Sequence, residues 1–186
     1  MTDHPTPQSD TPTVLLRALA ARATAVKRPL PQGDSASAGD NRYIAFRLAG
    51  VPLATPMAEV KEILSYPDLT AVPGAKRWLK GIAQVRGRLM SIVDVQDFLG
   101  GDVTALRRTT RVLLAEHDDI LCGFIVDEVV GMKQHLSPVG DVMQMGAIPV
   151  WLDDSVDAPV CLDNTPWRVL EFAPLMRRPA FLQAAA

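Results

Sequence analysis

The chain has 186 residues, of which 48% are hydrophobic and 22% charged, and its formal net charge is −2 at pH 7. This composition can build a core without disulfides or metal, in one domain or in two small lobes that share a core. The charge argues against binding to bulk nucleic acid or anionic membranes. No apolar run approaches the roughly 20 residues that span a bilayer, and the N-terminus does not resemble a secretory signal, so we expect a soluble, cytoplasmic protein.

Residues 1–40 are predicted to form a flexible tail that carries one amphipathic helix. Thr11 offers an N-cap and Pro12 occupies the first helical position. Apolar side chains then recur mostly at spacings of three or four residues, at Val14, Leu15, Leu19, Ala23 and Val26. The helix is predicted over 12–28 and is followed by a flexible linker. Because an isolated helix of this length is marginal in water, we expect it to dock on the domain or on a partner.

Residues 41–182 are predicted to form one domain made mainly of short β-strands. Alternating apolar residues predict a strand over 43–48, which ends at Gly50, and a second short strand follows over 51–54. Residues 57–64 fit either a strand or a helical turn.

Two hairpins follow along the chain. The first joins 82–86 to 89–95 about Gly87, which supplies the positive φ of a two-residue turn. Asp94 is placed to cap the next helical turn, and Gly100 is placed to end it.

The second hairpin joins 111–116 to 120–126, and a further strand is predicted near 167–172. Many short strands, frequent turns and few helices indicate an all-β fold of barrel type.

The sequence lacks the patterns of a catalytic or metal site. None of the three histidines lies at metal-binding spacing with another ligand, and no nucleophile or phosphate-binding motif occurs. The acidic pairs Asp118-Asp119 and Asp127-Glu128 are not placed for acid–base work, since one falls at a hairpin tip and the other points to opposite strand faces. We therefore expect no enzyme activity, no cofactor and no metal. Cys122 and Cys161 are expected to be reduced, although a disulfide between them is not excluded.

Four segments, in order, resemble the CheW-like domain, the coupling module of bacterial chemosensory systems. They are YIAFRL (43–48), AEVKEIL (58–64), KGIAQVRG with SIVD (80–87 and 91–94) and CGFIVDEV (122–129). The central motif is specific because its glycine, arginine, glycine and aspartate keep the family spacing. A narrower resemblance, to the branch serving type IV pili and twitching motility, rests on VPGxxxWxxG (72–81), the leading helix and the closing PWRVL (166–170).

The resemblance implies two interlocked, small SH3-like β-barrel subdomains with short helices. It implies a scaffold that links the cytoplasmic tip of a methyl-accepting chemoreceptor to the regulatory domain of a CheA-type histidine kinase, at membrane-associated receptor arrays. Two alternatives remain: an adaptor for flagellar chemotaxis, and, in another class, a small β-barrel that binds nucleic acid. The second alternative needs a basic face, which the dispersed charges do not suggest.

By motif position, the family's receptor groove places six residues in receptor or kinase contacts: Val60, Glu62, Ile63, Gly81, Arg86 and Gly123. A strand glycine allows another helix to approach closely, although it can equally mark a turn or a bulge. Arg86 can offer several hydrogen-bond donors at a rim. Gly87, Asp94 and Gly100 are expected to hold the turns and the helix cap.

Overall fold

The computed structural model describes residues 42–134, 147–157, 160–163 and 165–184. The strands are β1 (Arg42–Leu48), β2 (Val51–Pro56), β3 (Val60–Ser65), β4 (Leu79–Val85), β5 (Arg88–Asp94), β6 (Arg111–His117), β7 (Ile120–Val126), β8 (Glu128–Gln134), β9 (Val160–Leu162) and β10 (Thr165–Val169). The helices are a 3₁₀ turn (Met57–Glu59), α1 (Val95–Phe98), α2 (Val150–Asp153), α3 (Phe172–Met176) and α4 (Pro179–Leu182). The predicted tail and its helix lie outside the described residues.

The strands form two five-stranded sheets. The first has the order β8-β1-β2-β10-β9 and the second has the order β3-β6-β7-β5-β4. The chain builds two strands of the first sheet, then all of the second, and then returns to complete the first. The second sheet is therefore inserted in the chain between the strands of the first. The prediction of a mainly β fold is confirmed.

The ends of the strands follow the predicted turns. Arg86 and Gly87 both have positive φ, at 49° and 79°, which is the conformation of a type I′ hairpin turn. Asp118 and Asp119 form the second tight turn in the same conformation. Gly100, with φ at 96°, follows the end of α1.

Two predicted elements differ from the structure. Residues 57–64 contain both of the expected alternatives, the 3₁₀ turn and then β3. The strand expected near 167–172 ends at Val169, and Phe172 begins α3 instead.

A chain of aromatic rings connects the two sheets. Phe46 of the first sheet stacks on Phe172 of α3 at 6.2 Å, and Phe172 stacks on Phe124 of the second sheet at 4.4 Å. Phe124 then contacts Phe181 of α4 at 5.9 Å, and Phe181 stacks on Trp78 at 5.7 Å. These rings belong to one cluster of buried residues drawn from both sheets and the C-terminal helices, which we call the shared core.

The 3₁₀ turn between β2 and β3, which we call the crossing because the chain passes there from the first sheet to the second, is bonded to the C-terminal helices through Glu59. Its Oε2 accepts a hydrogen bond from the backbone N–H of Phe172 at 2.6 Å and one from the Thr55 hydroxyl at 3.3 Å. A carboxylate that accepts a backbone N–H at the start of a helix satisfies a donor that has no partner within the helix. Glu59 therefore holds α3, and with it Phe172, against the crossing.

Replacing Phe172 should weaken the whole fold, because its ring lies between Phe46 and Phe124. We expect Phe172→Ala to lower the free energy of unfolding by about 3–5 kcal/mol, as is typical of a buried phenylalanine. Leu182→Ala, at an exposed position of α4, is the matched control and should change it by less than about 1 kcal/mol. Urea unfolding followed by circular dichroism measures both; equal effects would contradict the central place of Phe172.

Glu171 should make stability depend on pH. Burial, together with the charges of Glu59 and Asp157, raises the pKa of Glu171 above its ordinary value of 4.5. The folded state then binds this proton more tightly than the unfolded chain, so the free energy of unfolding falls as pH rises from 4.5 through the folded pKa. Over that window Glu171→Gln should become progressively more stable than the parent protein. Urea titrations across the window test this, and a difference that does not vary with pH would refute it.

Candidate partner-binding site

A β-bulge decides which residues of β3 share a face. β3 pairs with β6, and the register shifts by one residue between Val60 and Glu62. After the bulge, Val60 and Ile63 lie on the same face, since their partners on β6, Ala115 and Leu113, both belong to the shared core. Two of the predicted contact residues are therefore brought together on the side of the second sheet that faces the first.

These two residues mark the edge of the shared core. Val60 packs partly buried against the core, and Ile63, on a strand at the edge of the ladder, is 40% exposed. A single exposed isoleucine is common on protein surfaces. Ile63 is a candidate for partner contact because it lies on the same strand face as the shared core and is exposed to solvent.

The two predicted polar residues form an ion pair with each other. A terminal guanidinium nitrogen of Arg86 lies 2.7 Å from Oε1 of Glu62, and the arginine side chain is 77% exposed. Glu62 lies on β3 and Arg86 in the β4–β5 turn, so the pair links the two edge strands of the second sheet. Paired backbone hydrogen bonds of 2.9 Å between Thr70 and Ile82 join the segment that follows β3 to β4.

An exposed pair of this kind contributes at most about 1 kcal/mol to stability. Arg86 retains further N–H donors that a partner can use. Val60 and Ile63 thus share one face of β3, whereas Glu62 pairs with Leu114 of a second buried cluster and lies with its ion pair to Arg86 on the other face.

Gly81 and Gly123 do not join this surface. Both are buried, and a Cβ at Gly81 would lie 2.5 Å from the carbonyl oxygen of Thr70. A Cβ at Gly123 would lie 2.5 Å from Val112 and 2.7 Å from Ile92. The chain's own atoms occupy the space beside both glycines, and partner contact at Gly81 and Gly123 stays a prediction.

Asp94 is the centre of a buried polar network. Its carboxylate accepts hydrogen bonds from the Thr104 hydroxyl at 2.7 Å, the Thr104 N–H at 2.9 Å and the Asp97 N–H at 3.3 Å. Lys80 Nζ lies 3.4 Å from it. As expected, Asp94 caps α1, and it also fastens the loop that leads to β6.

Arg77 is also part of this network, and the sequence analysis did not predict its contact. Its guanidinium donates hydrogen bonds to both carboxylate oxygens of Asp97, the shortest at 2.7 Å. Asp97 also lies 3.5 Å from Lys80. The pairing joins residues 20 positions apart on separate elements, so no local spacing could have indicated it.

Several other ionisable groups make structural contacts. Asp127 accepts the Gly50 N–H at 2.9 Å, and Glu128 pairs with Arg47 at 3.1 Å. Cys122 is buried on β7, which raises the pKa of its thiol, and it forms no disulfide with Cys161 on β9 of the other sheet. Over the described ranges, no three His, Cys, Asp or Glu residues gather as metal ligands, and none of the helices there is long and apolar enough to cross a bilayer.

Comparison with known proteins finds similar sequences over most of the chain. Residues 42–179 match the CheW-like domain family. The chain is 40% identical to Protein PilI of Pseudomonas aeruginosa over 142 residues, which cover 76% of this chain and 79% of PilI. It is 26% identical to Protein FrzA of Myxococcus xanthus, over 56% of this chain and 64% of FrzA.

A solved structure supports the same fold. The scaffolding protein TtCheW from Thermoanaerobacter tengcongensis superimposes with a TM-score of 0.59 at 17% identity, and the match covers 75% of this chain and 94% of TtCheW. The CheW-like, mainly β fold that the family resemblance implied is thereby confirmed.

The Asp94 network should be essential to stability and separate from partner contact. Asp94→Ala leaves Lys80 and the Thr104 N–H without their buried partner, and removal of one member of a buried pair costs about 3–5 kcal/mol. Asp154→Ala, at an exposed position with an ordinary φ of −73°, is the control and should cost less than about 1 kcal/mol. Urea unfolding compares them. Equal free energies of unfolding for the two variants would show that the Asp94 network does not stabilise the fold.

Proposed function

The chain belongs to the CheW-like domain family, and we propose that it acts as a non-enzymatic adaptor that couples methyl-accepting chemoreceptors to a CheA-type histidine kinase. The observation that carries this proposal is the family match over residues 42–179, which takes in both sheets of the structure. The candidate site adds a surface without catalytic groups, as a coupling protein requires. We place the adaptor in the cytoplasm, at receptor arrays.

The system it serves is proposed to control type IV pili and twitching motility. The 40% identity to PilI over most of both chains supports this assignment. Identity to the Chemotaxis protein CheW of Thermotoga maritima is 25% over 48% of this chain. A flagellar role is therefore the less supported alternative.

The proposed contact surface consists of Val60, Ile63, Glu62 and Arg86. An apolar centre with a polar rim is typical of protein–protein interfaces. Ile63 and Val60 supply the apolar edge, and the Glu62–Arg86 pair supplies charges that a receptor helix or a kinase domain can read. Gly81 and Gly123 support this surface only indirectly, through the packing of β4 and β7.

Nucleic-acid binding finds little support in the charges. Four cations on the strands and turns of the described ranges are paired with carboxylates: Arg47 with Glu128, Arg86 with Glu62, Arg88 with Glu116 and Lys133 with Asp163. A nucleic-acid surface depends on unneutralised cations that replace counterions on phosphates.

Arg86→Glu should weaken partner binding while leaving the fold intact. Because a charge-assisted hydrogen bond contributes about 1.5–3 kcal/mol, we expect affinity to fall by roughly 10- to 100-fold. Calorimetry against a receptor cytoplasmic fragment, and separately against the kinase regulatory domain, identifies which partner is affected. Arg88→Glu, which breaks the neighbouring pair with Glu116, is the matched control.

The double variant Glu62→Arg/Arg86→Glu restores the ion pair with reversed charges. If the partner reads the charge of Arg86 directly, the double variant stays weak. If the pair only braces the two strands, binding returns. Undiminished binding of Arg86→Glu to both partners would remove this residue from the interface.

A further inference from the structure

The loop between α1 and β6 is held at both of its ends. At its start, the N–H and the hydroxyl of Thr104 both donate to Asp94 of the buried network. At its end, buried Thr110 closes a tight turn: its hydroxyl accepts the Arg107 N–H at 2.8 Å, and its own N–H donates to the Arg107 carbonyl at 3.0 Å. Residues 105–109, between these two anchors, are all exposed. We call them the arginine loop.

The arginine loop combines cations with an apolar side chain. Arg107 and Arg108 directly follow Leu106, which is 56% exposed. Within the described ranges neither arginine forms an ion pair, and the loop contains no acidic residue. A guanidinium offers a planar set of N–H donors that suits carboxylates. The loop therefore matches a surface that bears carboxylates beside an apolar residue.

α2 carries such a surface. Leu152 is fully buried and Trp151 packs against the shared core, so these two side chains face inward. Val150 is 90% exposed, and the exposed Asp153 and Asp154 follow it by three and four residues, which places them beside it on the outer side of the turn. In the part of the chain that the structure describes, neither aspartate forms an ion pair. We call these three residues the α2 surface.

The arginine loop and the α2 surface lie near each other without pairing within one chain. Trp151 packs on the glycines before the loop, since its indole lies 2.9 Å from the position of a Cβ at Gly101, and its own Cβ lies 3.9 Å from that of a Cβ at Gly100. The loop begins four residues after Gly101, within about 14 Å. Arg178 donates to the Ser155 hydroxyl at 3.1 Å and leaves the aspartates of the α2 surface free. One copy can therefore present both surfaces to another copy.

We propose that two copies of the chain pair reciprocally, with the arginine loop of each copy docked on the α2 surface of the other. Leu106 then packs against Val150, and the two arginines pair with the two aspartates. A two-fold axis forms both contacts at once, because each copy contributes both halves of the interface. The proposal goes beyond the proposed function and does not depend on it, and the interface uses no residue of the candidate partner-binding site.

The charges favour a second copy over an anionic membrane or a nucleic acid. Anionic lipid surfaces are bound by clusters of about four to eight cations, and nucleic acids by cations that replace several counterions. The arginine loop has two cations, and the carboxylates of the neighbouring α2 surface would repel phosphates. A second copy instead supplies the carboxylates and the apolar side chain together.

Sedimentation equilibrium of the full-length chain tests the pairing. The dimer should be weak, because an exposed ion pair changes an association constant by about fivefold or less. It should also be sensitive to salt, which screens exposed charges. At low ionic strength the average mass should rise with protein concentration toward that of two chains, and it should rise less at high ionic strength.

Charge exchange identifies the surfaces that meet. Arg107→Glu/Arg108→Glu and Asp153→Arg/Asp154→Arg should each lower the association constant at least about tenfold, because like charges then face each other in both contacts. An equimolar mixture of these two variants should associate again, since opposite charges then face each other in both contacts. Recovery in the mixture also shows that both variants are folded.

Lys61→Glu/Arg88→Glu is the matched control, because it reverses two exposed cations elsewhere and should associate like the parent. A parent chain that stays monomeric at every concentration would overturn the proposal. Double variants that associate like the parent, or a mixture that stays monomeric while the parent dimerises, would show that the two surfaces do not meet. An average mass that rises beyond two chains would overturn the closed two-fold pair.

Discussion

Stacking of Phe172 between Phe46 and Phe124 is the contact on which the rest of the structure depends. The ring comes from a C-terminal helix, yet it packs on strands from both sheets. Glu59, in the crossing to β3, accepts a hydrogen bond from the backbone N–H of Phe172. The start of α3 is thereby fixed to the turn between β2 and β3. Each sheet has a smaller buried cluster of its own, but one apolar face of each is buried against rings that the C-terminal helices supply, so neither sheet is an independent unit.

This arrangement explains where a partner surface can form. A shared core between two sheets must end somewhere, and at β3 it ends on an edge strand. The bulge turns Val60 and Ile63 to the same face, and the Glu62–Arg86 pair fastens that edge to the neighbouring turn. The proposed surface lies where the two sheets meet. Val60 packs against the shared core, Ile63 lies exposed on the same face of β3, and the charges lie on β3 and the β4–β5 turn.

Local chemistry in the sequence predicted the elements that have local causes. The positive φ at Gly87, the cap at Asp94 and the stop at Gly100 follow from short spacings, and the structure shows each of them. Long-range features escaped prediction for a physical reason: the Arg77–Asp97 pair joins distant positions. Buried Gly81 and Gly123 looked like openings for a partner because sequence does not show which chain fills the space beside a glycine.

The central claim is that the chain bridges receptor and kinase, and co-sedimentation tests it most directly. Receptor cytoplasmic fragments assembled on vesicles are mixed with the CheA-type kinase, with and without the full-length chain, and pelleted. The account predicts that kinase enters the pellet in proportion to the added chain and that little enters without it. A pellet with the same amount of kinase in both cases, or a chain that stays in the supernatant, would contradict the adaptor role.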